Sequence, residues 1–399
     1  MMTKPIDHVR ALAEKIGCRM IGTPGNSAAE EYITQAFQKA GLGVERMPFS
    51  CPAWSAEKTQ LWISGRPAEA YANAFSPACL VSRPIFPLCS LEALETADLD
   101  GKVALLMGDL VRGPLAAKSF FLKPERDLRI IHLLEAKRPA AVITVNPALG
   151  THWRVIEDME FTIPSVTVPL EVGLALASEA GNRVQLHIPA QCTAGETAHV
   201  LAHLPGRLPW SVVVCAHYDT KVDTPGASDN AAGVAVMLAL SERLALQKNR
   251  RVGIEFVAFS NEEYDPTPEE NVYFKTMSAG FENIVAVLNM DGLGNVASTT
   301  TLADFSGSAA FQQRGEALRQ ARPGVARTEP WPASNHFMFY THGVPCVAIS
   351  AAGPGVWHTP ADLFSWIDPQ MLDSAVDLLA DLAAELDSRD PQWSRCQDG

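Results

Sequence analysis

The chain has 399 residues, 47% of them hydrophobic and 19% charged, with 45 acidic against 32 basic side chains and a net charge of −13. That length exceeds one ordinary core and predicts two domains, or one domain with a large insertion. The composition is that of a globular protein, and the acidity argues against nucleic acid, whose phosphates require a basic face. The opening stretch MMTKPIDHVRALAEKIG has no apolar core and no small-residue cleavage site, so no secretory signal is expected. No apolar run is long enough to span a bilayer. Eight cysteines lack C-x-x-C spacing, and Cys215 and Cys346 sit inside apolar runs, which predicts buried thiols rather than a disulfide framework. A cytoplasmic protein with neither nucleic-acid nor membrane partners is expected.

Residues 8–42 carry two helical patterns, HVRALAEKIG and SAAEEYITQAFQKAG. In the second, Ser27 is placed to N-cap, Glu30 follows three residues on and a glycine closes the helix. From about 51 to 192 short strand-like runs alternate with turns, as in KVALLMGD, AAVITVN, SVTVPLEVG and RVQLHI, around one strong helix, RDLRIIHLLEAKR. A mainly β inserted domain with one or two helices is predicted there. His132 and His152 lie in it without an acid at ligand spacing and are read as structural or exposed. After about 193 the rhythm becomes α/β. Strands are predicted at HVLAHLP, SVVVCAH, RVGIEFVAFS, IVAVLNMDG and VPCVAIS, with helices over 231–246, 311–322, 335–342 and 369–386. Continuous apolar runs mark strands buried on both faces. Residues 1–50 and 193–390 are therefore expected to form one discontinuous α/β domain, a mixed, mostly parallel sheet with helices on both faces. The polar residues 391–399 are expected to form a loose tail.

In open α/β sheets functional groups gather beyond the carboxyl ends of the strands. VVVCA is followed by His217 and Asp219, GIEFVAF by Ser260, Asn261, Glu262 and Glu263, and IVAVLNM by Asp291. VPCVAIS is followed, after a Gly/Pro loop, by VWHTPAD with His358 and Asp362, and Asp229 returns to the same edge on the loop after the first of these strands. Singly, each reads as a cap or a satisfied polar group. Together they bring about five carboxylates and two imidazoles into one place, where mutual repulsion raises the acids' pKa values and opposes folding. Divalent cations remove that conflict, and a set of histidine and carboxylate ligands suits zinc. Two histidines and three carboxylates match two ions if one carboxylate bridges, with a further acid free to move a proton. The chain has no HExxH, no G-x-S-x-G, no Walker loop and no G-x-G-x-x-G, so other common catalytic frameworks find no support.

The ordered pieces AHYDT, GASDNAAGVA, SNEE, LNMDGLG and WHTPADLF, with the N-terminal CRMIGTPGNSAAEEYITQAFQKAGLGVERMPF, resemble the co-catalytic zinc peptidases of family M28, which include aminopeptidases of the leucyl and aminopeptidase-S type. DLDGKVALLMGD, LLEAKRPAAVITVN and IPSVTVPLEVGLAL resemble the protease-associated (PA) domain that some members carry at this place. The resemblance implies that His217 and Asp291 hold one zinc ion, that Glu263 and His358 hold a second, and that Asp229 bridges the two. It implies that Glu262 is the general base, that Asp219 accepts a hydrogen bond from His217 and fixes its tautomer, and that the Asp229–Asn230 peptide is cis. The implied activity is hydrolysis of a peptide or small amide substrate by a hydroxide shared between the two ions, first of all by an aminopeptidase. Trp357 beside His358 also resembles glutaminyl cyclases, which typically use one zinc; the full ligand set favours hydrolysis. A carboxypeptidase or small amide hydrolase stays open as an alternative. Intact Glu262 and five ligands argue against a non-catalytic PA-domain binding protein. EEYDPTPEENVYFKT stands where the family runs into a Gly-rich segment, which leaves substrate preference open, and Asn335 stands where the family often has Asp. His336 is read either as supporting the site from the substrate side or as structural. Oligomeric state is left open.

Overall fold

The computed structural model describes residues 2–120, 122–150, 152–264, 271–277, 280–353 and 355–395. The chain forms two compact units, one from residues 1–50, 196–263 and 268–399, the other from 51–195 and 264–267.

The first unit is built on strands β1 (Gly43–Ala56), β2 (Ala190–Leu204), β3 (Ser211–His217), β4 (Gly253–Phe259), β5 (Ile284–Met290), β6 (Thr299–Phe305), β7 (Val325–Arg327) and β8 (Cys346–Ala352). They form one sheet in the order β1-β2-β4-β3-β5-β8-β6-β7. The pairs β3/β4, β3/β5, β5/β8 and β6/β7 are parallel, whereas β2/β4 and β6/β8 are antiparallel. Register decides where the site lies. His217 pairs with Phe259, Cys215 with Asn289 and Met290 with Ile349, so the carboxyl ends of β3, β4, β5 and β8 come level and whatever follows them shares one edge.

Alternation along β3 sends Val212, Val214 and Ala216 to one face and Val213 and Cys215 to the other. The first face packs on helices Pro5–Val9, Pro24–Lys39, Ala232–Ala245 and Pro369–Ser388 through residues such as Val9, Phe37, Val236 and Leu379. The second packs on Tyr273, Phe274, Met338 and Phe339 from helices Val272–Met277 and Asn335–Thr341. The mixed, mostly parallel sheet with helices on both faces is thus observed.

Two local expectations are corrected. Thr23, not Ser27, caps the second N-terminal helix: its hydroxyl accepts the Asn26 N–H at 3.3 Å, and Pro24 opens the helix where a missing N–H is harmless. The expected loose tail is docked as far as residue 395. Ser394 is buried and donates to the Val285 carbonyl at 2.5 Å, and its own carbonyl accepts the Ser308 N–H at 2.8 Å; residues 396–399 lie outside the described ones.

The second unit contains an eight-stranded sheet. Four of its strands, Cys79–Leu88, Val103–Leu106, Ala141–Val145 and Ser165–Val168, run parallel. Among the described residues three α-helices accompany them, Leu91–Thr96, Glu125–Lys137 and Leu170–Ser178, where one or two were expected. Leu88, Leu106, Ile130, Leu134 and Val142 belong to its core. His132 is exposed, and His152 lies half-buried with its ring edge-on to Tyr71. Among the described residues no helix is long and apolar enough to cross a membrane.

Candidate metal centre

Strand ends and one returning loop build the site. β3 ends on His217; Glu262 and Glu263 follow β4; Asp291 follows β5; His358 lies beyond β8. Asp229 sits just before helix Ala232–Ala245, where residues 229 and 230 leave helical geometry and share a cis peptide. Gly233 makes the close approach possible, because a Cβ there would stand 2.2 Å from Asn230 Oδ1 and 2.8 Å from the Met290 carbonyl oxygen.

The Asp229 carboxylate lies between two imidazoles. Its Oδ1 is 3.1 Å from His217 Nε2 and its Oδ2 is 3.2 Å from His358 Nε2. His217 Nε2 also faces Asp291 Oδ1 at 3.2 Å and Glu262 Oε2 at 3.8 Å. His358 Nε2 faces Glu263 Oε2 at 3.1 Å. One ligand atom from each of His217, Asp229 and Glu263 lies within 4.8 Å of the others. The fold therefore gathers His217, Asp229, Glu263, Asp291 and His358 in one cluster, with Glu262 on its His217 side.

Asp219 touches three members of the cluster. Its carbonyl oxygen is 3.2 Å from His217 Nδ1, closer than its carboxylate at 3.6 Å. The carboxylate accepts the backbone N–H groups of Glu262 and Glu263, both at 3.1 Å. It thereby holds the two-glutamate turn as well as flanking the imidazole. His336 is buried against Phe305 and Trp331, and its Nδ1 accepts from Asn289 Nδ2 at 3.1 Å. Asn335 opens the helix beside it. Of the divergent segment EEYDPTPEENVYFKT, residues 265–270 lie outside the described ones.

One residue had no role in the sequence reading. Asp362, four positions after His358, accepts the Ser228 N–H, the Ser228 hydroxyl and the Asp229 N–H, each at 2.9 Å. It fixes the backbone that carries the central carboxylate. Its presence at the same edge was visible in WHTPAD, but its partners lie more than a hundred residues away and no local spacing announces them.

The electrostatics follow from crowding. Burial alone would depress both ring pKa values, but Asp291 and Glu262 beside His217, and Glu263 and Asp229 beside His358, hold both imidazoles well above their ordinary value. Burial would raise Asp229, and the two imidazoles outweigh it and pull the acid far down. Glu262 is pushed up to about 8 by burial, then by Asp291, Glu263 and Asp219 against the opposing pull of His217. Glu263 is also raised, by burial first.

These residues fit a pair of divalent cations. The donors are two imidazole nitrogens and three carboxylates, the ligand types zinc takes. Glu263 Oε1 is buried without a hydrogen-bond partner, which leaves a free ligand atom pointing to a missing positive group. The two imidazoles keep their protons only through carboxylates that cations would bind instead.

Residues 199–383 match the profile of Peptidase family M28. The chain is 24% identical over 391 residues to "Aminopeptidase YwaD" of Bacillus subtilis, covering 93% of this chain and 82% of that protein. It is 24% identical over 329 residues to "Probable lipoprotein aminopeptidase LpqL" of Mycobacterium tuberculosis, covering 78% of this chain but only 62% of that protein. In fold it is similar to BSAP, a zinc aminopeptidase from Bacillus subtilis, with a TM-score of 0.78 at 22% identity over 99% of this chain and 98% of that one.

Proposed function

We propose, from the match of residues 199–383 to Peptidase family M28, that the chain is a zinc-dependent aminopeptidase of that family, removing N-terminal residues from peptides. The observation that carries the proposal is the Asp229 carboxylate, which offers one oxygen toward each imidazole, as a ligand shared by two ions must. His217, Asp291 and Asp229 would hold one zinc, and Glu263, His358 and Asp229 the other. Bound there, the ions supply Lewis acidity for the scissile carbonyl and lower the pKa of water.

The remaining work falls to this chain's own side chains. Glu262 accepts the proton of the attacking water and returns it to the departing amine. Its carboxylate stands beside the ligand cluster, 3.8 Å from His217 Nε2, where it can both take and give a proton. Asp219 aims that glutamate by holding its backbone N–H, and Asp362 does the same for Asp229. We read residues 51–195 as a PA-like domain, on the quoted segments and on the four parallel strands, with no part in the chemical step.

A panel of aminoacyl-nitroanilides and their N-blocked equivalents, assayed with and without a chelator, tests the proposal. Cleavage of the unblocked set alone, lost on chelation and restored by zinc, is expected. Turnover of only blocked or C-terminal substrates would remove the aminopeptidase assignment, and turnover indifferent to chelation would remove the metal.

A further inference from the structure

Arg19 is a fully buried cation that takes no part in the ligand set. Burial lowers its pKa only to about 10, opposed by nearby acids including Asp362, Asp219 and Asp229, so it stays charged. Its guanidinium donates to the carbonyls of Tyr218 at 2.7 Å, Pro225 at 2.7 Å and Gly226 at 2.9 Å, and to those of Gly17 at 2.9 Å and Leu12 at 3.3 Å. Its backbone N–H donates to Thr220 Oγ1 at 2.8 Å. One planar group thus ties down both ends of the loop 218–226. That loop is the connection between His217 and Asp229. Gly226 has φ +59°, and a Cβ there would stand 2.9 Å from Arg19 Nη2 and 2.4 Å from the Asp229 carbonyl oxygen, so backbone, guanidinium and the central acid's main chain are pressed together.

We propose that Arg19 is a positioning residue that sets the spacing between His217 and Asp229 for the metal pair. The inference rests on the metal reading above. Ligand constellations must be held to about 0.5 Å to work. A rigid, planar fork satisfying several buried carbonyls at once can impose that spacing, and a lysine, with a point charge on a flexible stem, cannot. The buried carbonyls left behind would each need a new partner, and the loop would relax to find one.

The test is zinc affinity, measured by competition with a chromogenic chelator, alongside thermal melting. Four proteins are compared: wild type, Arg19→Lys, Thr220→Val and the control Arg250→Lys. Arg250 is another buried arginine, but it donates to the Leu244 carbonyl at the far end of helix Ala232–Ala245. Arg19→Lys should bind zinc at least about tenfold more weakly, the scale of lost outer support around a metal. Thr220→Val should shift in the same direction by a smaller factor, and Arg250→Lys should melt lower with unchanged zinc affinity. If Arg19→Lys does not fold, Thr220→Val decides alone. Wild-type affinity in either folded variant would overturn the proposal, as would an Arg250→Lys protein that loses zinc as badly as Arg19→Lys. A wild type that binds no zinc would overturn the metal reading first and this inference with it.

Discussion

Both units of this protein contain parallel strands whose carboxyl ends lie side by side, and among the described residues only one of them gathers a cluster of metal-binding side chains there. In the first unit β3, β4, β5 and β8 are followed by His217, Glu262 and Glu263, Asp291, and His358. In the second, Cys79–Leu88, Val103–Leu106, Ala141–Val145 and Ser165–Val168 are followed by Cys89, Met107, Asn146 and Pro169. An acid close to these ends, Asp109, is exposed and accepts from Arg112 at 2.9 Å. Strand-end geometry supplies a place where groups can meet; the chemistry comes from which residues stand there.

The comparison can be broken most directly at Glu262. Glu262→Gln keeps shape and nearby ligands but cannot accept a proton, so kcat should fall by about 10²–10⁴-fold while zinc content stays at the wild-type value. Asp109→Asn, at the corresponding edge of the other unit, should change neither quantity. Retained turnover in the first variant would contradict the base assignment. A step smaller is Asp362→Asn, which weakens the acceptor for Ser228 and Asp229 without replacing a ligand. Zinc affinity should drop by about 10–100-fold, read by the same chelator competition, and a wild-type value would show that Asp229 needs no such support.

Of the five clustered residues, His217, Glu263 and Asp291 were legible because each closely follows an apolar run, so a strand and its polar end could be read together, whereas Asp229 and His358 arrive on loops. The supporting residues were not. Arg19 and Asp362 act on backbone atoms of a loop remote in sequence, and a lone arginine or a strand-end acid carries no mark of a distant carbonyl or N–H. The strands missed were those without a continuous apolar run. β1 is largely exposed or half-buried along its length, and β6 opens on three threonines and pairs antiparallel. The capping error had a similar origin. Both Thr23 and Ser27 fit a helix start locally, and Pro24 settles the choice.

Charge at the site offers a finer measure. Without cations His217 and His358 are held protonated by the carboxylates around them, and a metal ligand must be neutral. Loading zinc near pH 7 should therefore release protons, at least those of the two imidazoles, and affinity should fall as pH is lowered. Calorimetric titration in two buffers of different protonation enthalpy reads the number directly. No proton release would mean that the imidazoles are not the ligands.

A last expected effect concerns stability rather than the site, and again it separates the two units. His8, His199 and His336, all in the first unit, are buried and pushed down to about 4, by burial above all. His199 shows why it stays neutral. Its Nδ1 accepts the Ser260 N–H at 3.2 Å, while its Nε2 meets Asn271 Oδ1 at 3.1 Å, so a second proton would face a donor. A histidine whose folded pKa lies below its unfolded value binds fewer protons in the native state. Its contribution is complete above about pH 6.5 and is lost as pH falls toward 4, to the extent of up to about 3 kcal/mol per imidazole. In the second unit none of the described histidines is buried: His132 is exposed, and His152 and His187 are half-buried. Hydrogen exchange between pH 6.5 and 4 should show amides of Ser211–His217 losing protection before those of Ala141–Val145, and His199→Gln should flatten that slope. Protection lost first in Ala141–Val145 would mean that the buried imidazoles do not govern the acid limit.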